Sequence, residues 1–578
     1  MIKTKIICTL GPAVDNREAM RALLEGGMDV ARMNFSHGTH EEQLARLNML
    51  RAVCAEIGTH IPVLMDTKGP EIRLGVFPGG EVDLQEGQSY ILTTEEIDCD
   101  DKQAHVSYEG LPNDVKPGST ILLDDGLVEL EVVRVSGRKI HCVTKNEGVV
   151  DTRKGVNVPG VSLSIPAMTE QDKEDIRFAV ENDYDFIAVS FVRKKEDITE
   201  IRRELEDMGG QDIRLIAKIE NREGVANLDE IIRVSDGIMV ARGDLGVEMP
   251  VELIPVAQKD MILRCYRASK PVITATQMLD SMIRNPRPTR AEVTDVANAI
   301  FDGTSAIMLS GETAAGKYPI EALQTMKRIA ESSENSVDYW DNFLRNEVRA
   351  ESGITHAISH ATCTTAMDLN AAAIVAVTTS GSTARRISGF RPKCPIIAAT
   401  TSEKAQRQLR LSWGVYPVLA NVVNSTDELF STAVDCAVGT GLVQNGDVIV
   451  VTAGVPLGIS GTTNMLKVHL IGDVLCKGKG IGTRSVMGAV CRVIDKRGAE
   501  AFGRGDIIVA EEINDTLLPL IPLAGGLVLE GADRDGQAET LAKALELPVI
   551  IEAEGAIQQL KSGTMVTVDA AKGAVRVH

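Results

Sequence analysis

The sequence predicts an α/β protein built around a (β/α)8 barrel, and three observations support this prediction. Eight short apolar runs lie before residue 314. Each run is apolar along its whole length, as is typical of parallel strands covered on both faces. Each run also ends in polar or charged residues, and the carboxyl ends of the strands form the functional rim of such a barrel. The runs are residues 3–11, 30–36, 63–69, 186–192, 215–221, 237–244, 272–278 and 306–313.

The barrel pattern is interrupted once, after the third run. Between Pro70 and Ser164, short strand-like segments joined by Gly, Asp and Asn turns replace the helical spacing, which predicts a small all-β insert. Helical spacing returns at residues 169–180, where Thr169 offers an N-cap and Asp172 a first-turn acid. An insert at this position could close over the mouth of the barrel as a lid.

A second α/β unit and a separate tail are predicted to follow the barrel. After a helical stretch near residues 318–346, the apolar runs AAIVAV, PIIAAT, VYPVLA, DVIVVT and KVHLIG alternate with helical segments, which favours further parallel strands. The glycine-rich segment 476–484 is interpreted as a linker, and residues 537–546 as a helix of the tail. We therefore expect a barrel of residues 1–69 and 168–340, a lid of 70–167, a second α/β domain of 341–473 and an extra domain of 474–578.

Composition restricts the possible partners and the compartment. The 578 residues contain 61 Lys and Arg against 81 Asp and Glu, without a basic stripe, so nucleic acid and anionic membranes are poor partners. No apolar run approaches the roughly 20 residues of a membrane span, and the first apolar stretch is too short for a signal peptide. Ten scattered cysteines fit free thiols in a reducing cytoplasm. A cytoplasmic protein is expected, and an anionic substrate would need a local cation or a focused basic pocket.

The residues at the strand ends carry the chemistry. Side chains alternate along a strand, so residues i and i+2 share a face. Lys218 therefore shares a face with Glu220, and Arg242 with Asp244. Two carboxylates on neighbouring strands, Glu220 and Asp244, suit a Mg²⁺ ion that keeps positions for substrate oxygens.

A second group of strand-end residues is rich in oxygen and could hold a larger, monovalent cation. Its members are Asn34, Ser36, Asp66 and Thr67. Ordinary rim salt bridges remain an alternative for any single pair, such as Lys218 with Glu220 or Arg242 with Asp244. Structural pairs have no reason to converge on one face, so the whole set favours a site more strongly than any one pair does.

Seven motifs then identify a family resemblance. RMNFSHG, MDTKGPEIR, KGVNVPG, AKIEN, VARGDLGVE, TATQMLDSM and MLSGETA follow one another in the order found in pyruvate kinases. The similarity runs from Lys3 to about Gly472 and includes the lid. It implies transfer of a phosphoryl group between phosphoenolpyruvate and ADP, giving pyruvate and ATP in the last step of glycolysis. It also implies a homotetramer.

The resemblance assigns roles by position. Glu220 and Asp244 resemble the ligands of Mg²⁺ (or Mn²⁺), and Asn34, Ser36, Asp66 and Thr67 resemble the K⁺ site. Arg32 and Lys218 resemble the phosphate-binding cations, with Lys218 as the transition-state stabiliser. The remaining roles are the substrate carboxylate cradle (Gly243, Asp244 and Thr276), the ordering of a water that protonates the enolate (Thr276 and Ser310) and nucleotide contacts (Arg73 and Lys154).

The loop TTSGSTA at residues 378–384 precedes a predicted helix and could form a phosphate nest, although a tight structural turn would look similar. In the family this loop holds the phosphate of an allosteric activator. Ser382 replaces the arginine of relatives that bind fructose 1,6-bisphosphate, and Gly454 and Val455 replace their Trp-Arg pair. An activator with one phosphate, such as ribose 5-phosphate or AMP, is therefore expected on Thr378, Thr379, Ser380, Gly381, Ser382 and Thr383.

The tail resembles the swivelling phosphohistidine domain of phosphoenolpyruvate-using synthases and dikinases. The TSHA motif of those domains is missing from GGLVLEGADRDGQ (525–537), and no histidine occurs between Leu470 and Val577. We interpret the tail as structural or regulatory.

Two other functions remain open at this stage. A Mg²⁺-dependent aldolase or lyase that forms a pyruvate enolate would share Glu220 and Asp244, but it would not need Lys218, the K⁺ set or a lid with Arg73. A non-catalytic metabolite sensor is disfavoured because the charged strand-end residues are intact.

Overall fold

The computed structural model describes residues 2–345, 353–423, 425–444, 446–455, 463–472 and 474–577. The chain divides into two compact units. The first comprises residues 1–360, 378–419 and 460–462, and the second 361–377, 420–459 and 463–578. Within the described ranges, no helix combines the length and apolar character needed to cross a membrane. All ten cysteines are free.

Eight parallel strands close a barrel in the first unit, which confirms the predicted fold class. The strands before residue 310 are β1 (Lys5–Leu10), β2 (Val30–Asn34), β3 (Val63–Asp66), β4 (Glu81–Leu84), β5 (Ser89–Thr93), β6 (Gln103–His105), β7 (Thr120–Leu123), β8 (Val128–Ser136), β9 (Lys139–Thr144), β10 (Gly148–Asp151), β11 (Val156–Asn157), β12 (Phe186–Val189), β13 (Arg214–Ile219), β14 (Gly237–Ala241), β15 (Val272–Ala275) and β16 (Ala306–Leu309). The barrel consists of β1–β3 and β12–β16. Each of these strands pairs with the next barrel strand along the chain, and β16 pairs with β1.

Helices alternate with the barrel strands. The predicted start at Thr169 is found: its hydroxyl accepts from the Asp172 amide and the Asp172 carboxylate accepts from the Thr169 amide, a capping box. The helices are α1 (Arg17–Gly26), α2 (His40–Ile57), α3 (Leu111–Asp114), α4 (Glu170–Glu181), α5 (Lys195–Asp207), α6 (Arg222–Ala226), α7 (Leu228–Val234), α8 (Arg242–Glu248), α9 (Ile254–Arg267), α10 (Arg290–Phe301), α11 (Gly311–Ala314), α12 (Pro319–Glu334), α13 (Tyr339–Arg345), α14 (Ile354–Asp368), α15 (Ser382–Gly389), α16 (Glu403–Leu409), α17 (Thr426–Gly439), α18 (Lys496–Glu500), α19 (Gln537–Leu545) and α20 (Ala556–Gln559).

The lid is a separate β structure with its own core. β11, β7, β8, β9, β5 and β6 form a six-stranded sheet in this order, and β4 pairs with β10. Tyr90, Leu92 and Leu130 are among the fully buried side chains of its core. The only departure from the predicted all-β insert among the described residues is the one-turn helix α3.

The predicted second set of strands contains one error. The strands are β17 (Ala373–Val377), β18 (Ile396–Thr400), β19 (Val415–Leu419), β20 (Val448–Gly454) and β21 (Thr463–Leu470). β18 pairs in parallel with β19, and β17 in parallel with β20, but β21 pairs antiparallel with β20. Eight residues separate β20 from β21, whereas a parallel partner needs a crossover of about a dozen or more. The predicted helical stretch before these strands is found as α12 and α13, and Asn346 lies outside the described residues.

The tail forms an eight-stranded sheet, and its first strands correct the linker interpretation. β22 (Val474–Lys477) pairs with β29 (Ala574–Val577), and β23 (Lys479–Ile481) pairs with β27 (Val549–Ile551). Residues 476–477 and 479–481 of the predicted linker are therefore part of the sheet. A Cβ on Gly480 or Gly478 would collide with the carbonyl oxygens of Ala570 and Ile551. These glycines therefore permit close backbone approach. The strands are β22 (Val474–Lys477), β23 (Lys479–Ile481), β24 (Ser485–Arg492), β25 (Ile507–Ala510), β26 (Gly526–Leu529), β27 (Val549–Ile551), β28 (Met565–Asp569) and β29 (Ala574–Val577).

Candidate active site

Four charged side chains meet at the carboxyl ends of β2, β3 and β13. Arg32 Nε donates to Asp66 Oδ2 at 2.7 Å, and Lys218 Nζ donates to Asp66 Oδ1 at 3.0 Å. Lys218 Nζ also lies 2.8 Å from Glu220 Oε1. Arg32, Asp66 and Glu220 are 8%, 1% and 2% exposed. The structure therefore brings the predicted cations and acids together at one point of the rim.

Strand register explains why these groups meet. Arg32 on β2 lies opposite Thr9 on β1, and Asn34 lies opposite Asp66 on β3. The Arg32 guanidinium reaches Thr9 Oγ1 with Nη1 at 2.8 Å while Nε binds Asp66. The arginine is thus held from the strands on both sides.

The electrostatic environment keeps Asp66 and Lys218 charged. Burial raises the pKa of the Asp66 carboxyl, but Arg32 and Lys218 outweigh this and lower the pKa overall. Burial lowers the pKa of the Lys218 ammonium, but Asp66 and Glu220 outweigh it and the net pKa is raised. Opposite charges in a buried site stabilise both ionised forms. Lys218 is therefore a permanent cation at neutral pH.

Glu220 and Asp244 form the carboxylate pair of the site. Burial raises the pKa of Glu220, with Lys218 opposing and Asp244 adding to the effect. Burial also raises the pKa of Asp244, which lies in the first turn of α8. Glu220 is buried and Asp244 is exposed at the rim, and a cation beside them would favour the ionised form of both carboxyls. The described residues contain no cluster of three or more His, Cys, Asp or Glu suited to a metal. The pair fits Mg²⁺, which is held by few carboxylates and keeps waters or substrate oxygens.

The Thr276 hydroxyl links the cradle residues. Gly243 N donates to Thr276 Oγ1 at 2.9 Å, and Oγ1 donates to Ala275 O at 2.7 Å. Thr276 and Gln277 have φ values of 65° and 53°, a left-handed conformation that is strained for these residues and common at functional sites. The predicted residues Gly243 and Thr276 are therefore in direct contact.

Arg242 supports this turn, a role that the sequence did not predict. Its Nη2 donates to Thr276 O at 2.7 Å, and its Nη1 lies 2.8 and 2.7 Å from the two oxygens of Asp295. The alternative of an Arg242–Asp244 pair is thus wrong, because Arg242 pairs with Asp295 on α10. The sequence pattern did not predict Asp295 as the partner of Arg242, because only the folded chain brings α10 next to this turn.

Ser310 directly follows β16, the last barrel strand. Its amide donates to Glu312 Oε2 at 2.7 Å. The other carboxylate oxygen, Oε1, accepts from Leu279 N at 3.0 Å. Within the described part of the chain, Ser310 Oγ is buried without a hydrogen-bond partner. A hydroxyl without a partner can form a hydrogen bond when a substrate or a water reaches it.

The oxygen-rich set surrounds the same strand ends. Asn34 Oδ1 accepts from Ser36 N at 3.0 Å. Thr67 O accepts from the hydroxyl of Ser190 at 2.6 Å, and that hydroxyl also accepts from Lys218 Nζ at 2.8 Å. Ser190 was not predicted as a site residue. Its only signal is that it is the single polar residue in the apolar run 186–192.

A cavity of about 430 Å³ lies at the rim of the barrel, beside Asp244. Asp244, Phe191 and Glu248 line it from the barrel, and Val156 and Leu163 line it from the lid. The lid therefore covers one side of the rim, which reduces access of water.

Comparison with known proteins identifies the family. Residues 1–323 match the family model "Pyruvate kinase, barrel domain". The chain belongs to the pyruvate kinase family. Residues 356–469 match "Pyruvate kinase, alpha/beta domain", and residues 502–573 match "PEP-utilising enzyme, mobile domain". The chain is thus a phosphotransferase of the pyruvate kinase type.

Individual pyruvate kinases agree with this assignment. The chain is 48% identical to the pyruvate kinase of Staphylococcus haemolyticus over 100% of this chain and 99% of the relative. It is 47% identical to that of Geobacillus stearothermophilus, over 99% and 98%. A crystal structure of a pyruvate kinase from Cryptosporidium parvum matches with a TM-score of 0.78 at 40% identity, covering 81% of this chain and 96% of that one.

In this member of the pyruvate kinase family, the two residues that are predicted to contact the nucleotide, Arg73 and Lys154, lie close together at the base of the lid. Leu74 N donates to Lys154 O at 2.9 Å, which places Arg73 and Lys154 on adjacent segments. Arg73 contacts Glu71 Oε2 with Nε at 2.9 Å and Nη2 at 2.6 Å, and Lys154 Nζ lies 3.1 Å from Asp124 Oδ1. Both cations are held by acids that a phosphate could replace.

The predicted effector loop forms a tight turn before α15. Gly381, the N-cap of α15, has a φ of 80°, and its amide donates to Thr378 Oγ1 at 3.1 Å. Arg385 Nη2 donates to Ser380 O at 2.7 Å. Burial lowers the pKa of the Arg385 guanidinium to about 10. The loop therefore combines a helix N-terminus with a half-buried cation.

Proposed function

We propose that this protein transfers the phosphoryl group of phosphoenolpyruvate to ADP and releases pyruvate and ATP. The observation that carries the proposal is the buried Lys218, held between Asp66 and Glu220 beside Arg32. Membership of the pyruvate kinase family supports it. Phosphoryl transfer is catalysed mainly by positioning and by neutralising charge on the transferred oxygens. Lys218 and Arg32 supply two fixed positive charges for that purpose.

The first step moves the phosphoryl group. The bond between phosphorus and the enol oxygen breaks, and its electron pair remains on that oxygen. A β-phosphate oxygen of ADP forms the new bond to phosphorus. Lys218 neutralises the charge that develops on the phosphoryl oxygens, and the Arg32 fork orients them. Arg73 and Lys154 leave Glu71 and Asp124 to bind the nucleotide phosphates.

The second step places a proton on carbon. The substrate carboxylate lies against the Gly243 and Asp244 amides and Thr276, which fixes the three-carbon unit. The Ser310 hydroxyl, which has no partner among the described residues, orders a water with Thr276, and this water delivers the proton to C3 of the enolate. A hydroxyl is a weak acid, so it serves as a relay.

Two cations belong to this proposal. Glu220 and Asp244 would hold Mg²⁺ (or Mn²⁺), and Asn34, Ser36, Asp66 and the Thr67 carbonyl would hold K⁺. Both donor sets consist of oxygen atoms, which these hard cations prefer. When bound, the cations would neutralise negative charge on the substrate oxygens.

The proposal predicts ATP formation in a coupled assay with phosphoenolpyruvate, ADP, Mg²⁺ and K⁺. A typical kinase turnover of roughly 1–100 s⁻¹ is expected. Carbon–carbon cleavage of 2-keto acid substrates without ATP formation would instead support an aldolase or lyase. Folded protein without turnover at saturating Mg²⁺ and K⁺ would support a metabolite sensor.

The loop at residues 378–383 binds the single phosphate of an activator. Its glycine N-cap and adjacent Arg385 are suited to a phosphate, and Ser382 lacks the charge that a second phosphate would need. The same assay with ribose 5-phosphate, AMP and fructose 1,6-bisphosphate tests this: activation by the bisphosphate alone would contradict it. The family resemblance also favours a homotetramer.

The tail is dispensable for catalysis. A chain ending at Gly472 is expected to retain kinase activity, because the catalytic residues proposed here lie between Arg32 and Ser310 and the cut precedes β22. In the intact protein, phosphoenolpyruvate should not phosphorylate the tail, which lacks a histidine nucleophile in its interior. The Asp533 carboxylate also accepts from the Ala538 and Glu539 amides at 3.1 and 3.0 Å, so it already occupies the start of α19.

Activity assays and phosphate analysis check this prediction. Complete loss of activity in a truncated protein that is still folded would contradict the first part. Acid-labile phosphate on the tail after incubation with phosphoenolpyruvate would contradict the second. Reduced stability or an altered response to activators is compatible with both.

A further inference from the structure

Ser190, directly after β12, is a buried hydroxyl in contact with the catalytic lysine. The residue is 3% exposed. Its Oγ accepts from Lys218 Nζ at 2.8 Å and donates to Thr67 O at 2.6 Å, and its amide donates to Thr67 Oγ1 at 3.1 Å. The side chain is therefore fixed from β3 and in turn contacts β13.

The donors and acceptors determine the direction of these bonds. The Lys218 ammonium has three N–H groups and no acceptor, and its three neighbours are Asp66, Glu220 and Ser190. Ser190 is the neutral member of the three. Because Lys218 donates to the Ser190 oxygen, the single hydroxyl proton must point elsewhere. Thr67 O, at 2.6 Å, is nearer than Asp66 Oδ1, at 3.4 Å.

We infer that Ser190 is a positioning residue: it orients the Lys218 ammonium for phosphoryl transfer and connects it to the Thr67 carbonyl of the proposed K⁺ site. The inference rests on the proposed function, since it assigns Ser190 to the phosphoryl-transfer step. The two carboxylates hold the ammonium from β3 and from the end of its own strand β13, whereas Ser190 adds a third acceptor from the end of β12 and so fixes the position of Nζ from a further direction. A cation held at Thr67 O would polarise this carbonyl, and the Ser190 hydroxyl would transmit the effect to Lys218.

The test compares Ser190→Ala with wild type in two reactions: ATP formation, and exchange of the C3 protons of pyruvate with solvent. We expect kcat for ATP formation to fall about 10- to 100-fold, the effect of one hydrogen bond to a charged group. The exchange rate should stay near wild type, because Glu220, Asp244 and Thr276 are unchanged. The KM for phosphoenolpyruvate should change less than kcat, and the half-activating K⁺ concentration should rise.

Matched variants separate positioning from structure. Ser235→Ala removes another serine that is 3% exposed and whose hydroxyl donates to Ile231 O at 2.8 Å, and it should leave kcat unchanged. Ser190→Thr keeps the hydroxyl and should restore most of the activity. Should the alanine variant not fold, Ser190→Cys retains the size with a poor acceptor and should lose kcat relative to Ser190→Thr.

The results distinguish failure of this inference from failure of the proposed function. Wild-type protein without ATP formation would refute the proposed function itself. With an active wild type, unchanged kcat and K⁺ response in Ser190→Ala would overturn the inference. Equal losses of ATP formation and proton exchange would also overturn it, because a purely structural role would damage both.

Discussion

Lys218→Met is expected to lose phosphoryl transfer by at least about 1,000-fold, the usual effect of removing a charge that stabilises a transition state. The variant should still exchange the C3 protons of pyruvate with solvent. Lys218 is proposed to act on the phosphoryl group, whereas the three-carbon unit is proposed to bind to Thr276, to the Gly243 and Asp244 amides and to the cation that the acid pair would hold. A coupled ATP assay and proton exchange followed by NMR in D₂O measure the two reactions.

The stability of this variant needs its own control. Removing Lys218 leaves Asp66 and Glu220 buried without a shared partner, and loss of one member of a buried pair costs about 3–5 kcal/mol. The pKa of both carboxyls should rise, since Lys218 lowers each of them. Thermal unfolding should therefore be measured with Mg²⁺ present. Near-normal turnover in the folded variant would show that the role assigned to Lys218 is wrong.

Activity of the wild type is expected to depend on K⁺, and Glu71→Lys is expected to remove most of this dependence. Glu71 follows the strand that ends in Asp66, and in the family a lysine at this position replaces the need for the cation. A unit charge in a partly buried site is worth about 1–4 kcal/mol, so omission of K⁺ should lower the wild-type rate by roughly 100-fold. Initial rates with K⁺ and with a large organic cation measure the difference.

Glu71→Gln is the matched control for that experiment. Both variants break the ion pair with Arg73, whose Nη2 lies 2.6 Å from Glu71 Oε2, but only lysine adds a positive charge. The glutamine variant should keep its K⁺ requirement. A wild type that runs equally well without K⁺ would refute the assignment of Asn34, Ser36, Asp66 and Thr67.

Local pattern was sufficient to predict much of the fold. All eight barrel strands were predicted within a few residues, because parallel strands covered on both faces are short continuous apolar runs. The start of α4 at Thr169 was predictable because capping depends on side chains within one turn. The segment 476–484 was misinterpreted because glycine serves both flexible linkers and close backbone contacts. Only the positions of Ala570 and Ile551 distinguish the two cases.

The site residues likewise include some that local pattern predicts and some that it does not. Lys218, Glu220, Asp66 and Asp244 could be identified from the sequence because their positions at strand ends are themselves the signal. Ser190 and Asp295 were not identified. A single serine in an apolar run and an acid on a helix surface have no distinctive spacing, and their importance depends on contacts across strands and helices.

The sequence by itself determined the positions of the eight barrel strands, the family and the acids and cations that follow the strands, since each depends on local pattern or ordered motifs. The tertiary structure decided which of these groups touch. It paired Arg242 with Asp295 instead of Asp244 and placed Ser190 between Lys218 and Thr67. The physical reason is that hydrogen bonds and ion pairs act over about 3 Å. Which groups come that close depends on the register and packing of strands and helices that can lie more than a hundred residues apart in the chain.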